Sequence, residues 1–230
     1  MATFALIHGA GDVGWYWHLI ERELRERGHD VVAPDLPCDD DSAGLWDYAN
    51  TVTEAVGDRR ELAVVAQSAG AFTAPLVCTR VPAELLVLVA GLVPKPGEAP
   101  GEWWTNTGYE PPRGGWSGDV RETFYHDVPA ELADEALRRT RAQSDTPSEA
   151  PWPLAAWPDL PIRFLLCRHD RLLPADFLRR VVRERLGIEP DEIDAGHCVA
   201  LSRPRELAEL LDSYVVRRGR RGHQPGTARK

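Results

Sequence analysis

Three side chains of the types that activate a hydroxyl stand far apart in the chain: Ser68, Asp170 and His197. A serine is a weak nucleophile until a base removes its proton, and a histidine serves best when a carboxylate fixes its tautomer and balances its charge. The stretch Leu62-Ala63-Val64-Val65-Ala66-Gln67-Ser68-Ala69-Gly70 carries an apolar run into a serine flanked by small residues. Small groups two positions either side are what a sharp strand-to-helix turn needs if it is to hold the serine hydroxyl above a sheet. Ala66 stands where glycine is usual, and it is still small. Asp170 follows the apolar run that ends at Cys167, and His197 follows Asp194-Ala195-Gly196. The competing readings are a chance S-x-G, an aspartate capping the next helix and a satisfied loop histidine.

A fourth run, Thr3–Ile7, ends in His8-Gly9-Ala10-Gly11. Glycines after a strand let backbone N–H groups face a ligand. The amides of Ala10 and Ala69 are therefore expected to form the hole for a tetrahedral oxyanion, with His8 fixing the loop. His169, beside Asp170, is expected to be structural because neighbouring side chains diverge. Gly9, Gly11 and Gly14 also match a G-x-G-x-x-G dinucleotide fingerprint, with Asp30 and Asp35 about twenty residues on. That reading leaves Ser68, Asp170 and His197 unexplained.

These residues need a scaffold. Apolar, β-rich runs at Thr3–Ile7, Asp30–Ala33, Leu62–Ala66, Leu85–Ala90, Ile162–Cys167 and Glu192–Ala195 alternate with helical patterns at 15–27, 69–80, 174–186 and after Pro204. Continuous apolar strands separated by helices predict an α/β fold, a mostly parallel sheet of about six strands with helices on both faces. Ligands of such sheets bind beyond the carboxyl ends of the strands, and every candidate residue lies there. The order Ser, Asp, His matches one serine-hydrolase arrangement and not the others.

Residues 93–158 break the alternation. They are rich in Pro and Gly and hold Trp103, Trp104, Trp116, Trp152 and Trp157, with one helix expected from Pro129. This insertion is expected to cap the sheet edge; a separate small aromatic core is the alternative. Trp17, Trp104 and His126 are the expected substrate contacts. The domain is expected to span 1–216, followed by a disordered basic tail, 217–230.

Hydrophobic residues make up 43% of the 230, enough for one core. The formal net charge is −9, and six basic groups with no acid fall in the last fourteen residues, so the body is more acidic still. An acidic body argues against a nucleic-acid partner. No run is long enough to span a membrane. The four cysteines are scattered, which predicts reduced thiols, no metal centre and a cytoplasmic setting.

On His8-Gly9-Ala10, Gln67-Ser68-Ala69-Gly70, Asp170 and His197, the chain resembles the α/β-hydrolase superfamily over almost its whole length, the tail excepted. With Gly14-Trp15-Tyr16-Trp17 it is similar to the compact branch of plant methylesterases, hydroxynitrile lyases and pyrethroid-type esterases. The resemblance implies cleavage of a small-molecule carboxylic ester with no cofactor. The lyases of the branch use a lysine; here Lys95 and Lys230 are the only two. Amide, thioester, lactone or carbon–carbon cleavage, and a receptor-like member with slow turnover, are the alternatives on the same residues.

Overall fold

The computed structural model describes residues 1–111 and 118–221. Trp116 and residues 222–230 lie outside them. Six strands form one sheet: β1 (Thr3–Ile7), β2 (Asp30–Val32), β3 (Leu62–Gln67), β4 (Ala83–Val89), β5 (Ile162–Cys167) and β6 (Asp191–Ile193). Their order is β2-β1-β3-β4-β5-β6, and every pairing is parallel. The expected sheet is therefore present.

Side-chain alternation builds the two covering layers. Phe4 and Leu6 of β1, Ala63 and Val65 of β3, and Leu165 and Cys167 of β5 face one layer; Ala5, Ile7, Val64, Ala66, Phe164 and Leu166 face the other. The first layer contains α1 (His18–Glu26), whose Ile20 and Leu24 are fully buried. The second contains α2 (Leu45–Val56) through Ala49, Val52 and Val56, and α3 (Ala74–Cys78) through Leu76 and Val77. Burying both faces is why these strands read as unbroken apolar runs.

The insertion between β4 and β5 carries α4 (Trp103–Asn106), α5 (Val120–Phe124), α6 (Ala130–Arg139) and α7 (Thr146–Glu149). It shares the domain core. Trp103 and Trp152 are buried in the α2/α3 layer, and their indole N–H groups donate to Val93 O and Phe72 O, each at 2.9 Å. The near-buried Arg185–Glu98 pair, 2.8 Å from Nη2 to Oε1, joins the start of the insertion to α8 (Ala175–Leu186). After β6 come α9 (Val199–Ser202) and α10 (Pro204–Arg221), the latter reaching into the basic tail.

Trp17 requires a correction. The 3₁₀ turn Gly14–Trp17 directs Tyr16 and Trp17 into the α1 layer, where Trp17 has no exposed surface. It is a core residue and lines neither of the cavities described below.

β1 leads outward to β2, and the chain then crosses back to place β3 on the other side of β1. The reversal opens a crevice beyond the carboxyl ends of β1 and β3. His8–Val13 follow β1 there, and Ser68 follows β3.

Candidate active site

Ser68 sits in the left-handed region, φ +51°, directly after β3. A side chain in that conformation costs on the order of 1–3 kcal/mol, which the surrounding structure must supply. The turn is held by the Leu92 N–H, which donates to Ser68 O at 3.1 Å. The chain continues as a 3₁₀ turn, Ser68–Phe72, before α3, where one unbroken helix over 69–80 was expected. Gly70 is demanded by space: a Cβ there would stand 2.6 Å from His8 O. A Cβ on Gly9 would stand 2.6 Å from Gln67 Oε1 and 3.1 Å from Ser68 Cβ. The loops after β1 and β3 thus touch at two glycines, bringing Ala10 and Ala69 to one cavity wall.

His8 fixes the first of these loops, as expected. Its Nδ1–H donates to Gly9 O at 2.8 Å, and its Nε2 accepts the Leu36 N–H at 2.9 Å. Burial pulls its pKa down to about 4, so it stays neutral near pH 7. Asp35, the acid of the dinucleotide reading, accepts the Gly14 N–H at 2.7 Å, and Asp30 pairs with Arg59 at 2.7 Å. Both acids are engaged within the protein.

Asp170 and His197 are brought together. His197 Nδ1–H donates to Asp170 Oδ2 at 2.7 Å, while Asp170 Oδ1 accepts the N–H groups of Leu172 and Leu173 at 2.8 and 2.9 Å. Both side chains are buried. The bond fixes the tautomer with Nε2 as acceptor. The two loops are also joined by the His169 N–H, which donates to Ala195 O at 3.0 Å. The His169 ring turns outward to Asp194 at 2.7 Å, the structural role expected of it.

Two further groups hold His197 in place. Gln67 Nε2 donates to His197 O at 3.4 Å. Asp127 Oδ2, from the insertion, accepts the Gly196 N–H at 2.7 Å. His126 was expected at the substrate. Its Nε2–H instead donates to His169 O at 2.9 Å, and it stands outside the cavity. The reason is proximity: Gly196 lacks a Cβ, and one built there would lie 2.7 Å from His126 Nε2 and 2.5 Å from Asp127 Oδ1. Neither Gln67 nor Asp127 was singled out in the sequence. The glycine before His197 was the one available signal of a close approach.

A cavity of about 200 Å³ is lined by Ser68 and His197 together with Ala10, Asp12, Ala69 and Trp104. Phe124 closes it over the imidazole, edge-to-face at 5.4 Å between centroids. A second cavity of about 250 Å³ shares Gly9, Ala10, Ala69, Leu92 and Trp104 with the first and extends past Tyr48, Phe72 and Pro147. Trp104 was an expected substrate contact and lines both lobes. Lys95 is exposed and lies outside both. Among the described residues, no cluster of His, Cys, Asp or Glu could hold a metal ion, and no helix is long and apolar enough to cross a membrane.

Solved structures of the same architecture include polyneuridine aldehyde esterase, 18% identical with a TM-score of 0.79 over 93% of this chain and 99% of that one. A pyrethroid hydrolase from Sphingobium faniae is 20% identical, with a TM-score of 0.76 over 94% and 97%. An extracellular α/β-hydrolase from a Paenibacillus species is 18% identical, with a TM-score of 0.76 over 93% and 98%. No curated protein sequence matches the chain. The sequence model of the alpha/beta hydrolase family matches residues 4–210. With the sheet, the strained serine turn and the Asp170–His197 pair on one edge, the chain belongs to the alpha/beta hydrolase family.

Proposed function

We propose that this protein is a serine hydrolase that cleaves a carboxylic ester of a small to medium apolar or aromatic molecule through an acyl-enzyme. The observation that carries the reading is the 2.7 Å bond from His197 to Asp170 beside a cavity that Ser68 also lines. His197 Nε2 takes the Ser68 proton as Oγ attacks the ester carbonyl. The N–H groups of Ala10 and Ala69 receive the oxyanion. His197 then gives the proton to the departing alkoxide, and water enters by the reverse path to release the acid and restore Ser68. Asp170 holds the imidazole and stabilises its charged form. No cofactor takes part in these steps.

Two similar structures are named as an esterase and a pyrethroid hydrolase, which supports ester cleavage here. The apolar walls of both lobes support an apolar acyl group. Lys95, exposed and remote, gives no support to a lyase reaction. The partner in this reading is a small-molecule ester, with neither nucleic acid nor membrane. The four unpaired cysteines fit a cytoplasmic setting.

The test is turnover of nitrophenyl butanoate by the protein and by Ser68→Ala, with circular dichroism of both. Loss on the order of 10⁴-fold or more in a folded variant is expected. Full retained activity in Ser68→Ala would end the reading.

A further inference from the structure

The catalytic cavity holds one carboxylate that the reaction above does not use. Asp12, in the loop after β1, lines the same lobe as Ser68 and His197. Its Oδ1 accepts the Val13 N–H at 2.8 Å. Among the described residues no hydrogen bond reaches Oδ2, and no ion pair includes Asp12. No Arg or Lys lines the lobe; its other walls are mainly apolar or aromatic, including Leu92, Trp104, Phe124 and Leu172. Asp12 is half-buried, and its second carboxylate oxygen has no donor from the protein. A substrate group could supply that donor.

The placement says which part of the substrate is read. His197 must reach the departing oxygen, so the alcohol portion occupies the lobe that His197 lines. The acyl portion extends past Ala10 and Ala69 into the second lobe, which His197 does not line. We propose that Asp12 is a specificity-determining residue that selects esters whose alcohol portion carries an ammonium group, the ion pair forming between that group and Asp12 Oδ2. The inference rests on the ester-hydrolase reading and narrows its substrate class.

The charge on Asp12 is adjustable. Burial pushes its pKa up to about 6; the Val13 N–H opposes this, Asp35 adds to it and His197 opposes it. The buried Tyr16, Tyr125 and Cys198 also feel this carboxylate, and burial, their largest influence, pushes each of their pKa values up, so they stay neutral near pH 7. Asp12 is thus mostly ionised at pH 7 and mostly protonated at pH 5. His197 serves the cleavage of every ester alike. A ratio of rates on two esters therefore isolates Asp12.

The experiment compares kcat/KM for 2-(dimethylamino)ethyl butanoate with that for its uncharged isostere, 3-methylbutyl butanoate. The protein and Asp12→Asn are assayed at pH 7 and pH 5, with Ser68 labelling by a fluorophosphonate alongside. A charge-assisted bond predicts a ratio favouring the ammonium ester by about ten-fold or more at pH 7. The ratio should fall toward one at pH 5, and it should be near one at both pH values in Asp12→Asn. If Asp12→Asn does not fold, Asp12→Ser and the pH dependence of the unaltered protein carry the same test. A ratio near one in a protein that labels at Ser68 overturns this inference alone. A ratio that survives in the folded Asp12 variants overturns it as well. Failure to label and to cleave either ester overturns the hydrolase reading, and this inference with it.

Discussion

Asp127, on the insertion, accepts the backbone N–H of Gly196 at 2.7 Å, one residue before the imidazole of His197. Its other oxygen is buried with no partner among the described residues. A buried carboxylate oxygen left unpaired is costly, and its retention beside the His197 loop is explained by what the first oxygen holds. Next to it, His126 donates to His169 O, one residue before Asp170. The insertion therefore grips both loops that carry Asp170 and His197.

Removing that grip should disturb chemistry more than binding. Asp127→Ala leaves the Gly196 N–H without its acceptor and frees the loop to shift. The expected loss is about 10- to 100-fold in kcat, with a smaller change in KM, because displacement of a reacting group by about 1 Å is enough for such an effect. Asp127→Asn keeps an acceptor oxygen and should restore most of the rate. Steady-state kinetics on a nitrophenyl ester read both variants. Equal losses in the two would assign Asp127 a role through its charge.

The glycine contacts give a stability prediction. Gly70→Ala puts a methyl group 2.6 Å from a backbone oxygen, which a side-chain rotation cannot relieve. Overpacking of this kind costs about 1–3 kcal/mol, and the strain falls on the turn that presents Ser68. Urea denaturation should register the loss, and activity per folded molecule should fall with it. Ala66→Gly is the contrasting case. Ala66 is fully buried within β3, so glycine there should cost about 0.5–1 kcal/mol while the turn stays intact.

Asp12 gives a pH-dependent stability prediction whose sign can be worked out. Its folded pKa, about 6, lies above the ordinary carboxyl value of 3.8, so between these values the folded state binds more protons. Stability then falls as pH rises through that window, and the penalty is complete above it. Asp12→Asn removes the penalty and keeps an acceptor for Val13. The variant should be more stable at pH 8 by about 1–2 kcal/mol, allowing for water in the cavity, with little gain at pH 4. Thermal melts at the two pH values test this. A group kept at such a cost fits a functional position.

Acid–base pairing gives a fourth expectation. Asp170→Asn can donate to Nδ1 and so favours the wrong tautomer of His197. The expected loss is on the order of 10⁴-fold in kcat, with the fold preserved. A loss of less than about ten-fold would remove Asp170 from the mechanism.

Much of this architecture was legible in the residues. β1 and β5 begin and end where their apolar runs do, because burial on both faces keeps them apolar apart from Thr3 and Arg163 near their starts. β6 was less clear: it is Asp191–Ile193, an edge strand with a single apolar residue, and the expected run lay one to two residues further on. α2 went unread because its buried Tyr48, Ala49, Val52 and Val56 make a sparse stripe after a polar stretch. Ser68, Asp170 and His197 stood out because parallel strands deliver their loops to one edge. Asp12 and Asp127 did not, since their importance comes from what approaches them in space. Trp17 was misplaced because a tryptophan suits a core and a ligand pocket equally well.

The most direct test of the central claim is covalent labelling by a fluorophosphonate, with the modified residue located by peptide mass spectrometry. The account predicts one label per molecule, on Ser68, abolished in Ser68→Ala and strongly slowed in His197→Ala. A label on another residue, or equal labelling of Ser68→Ala, would contradict it.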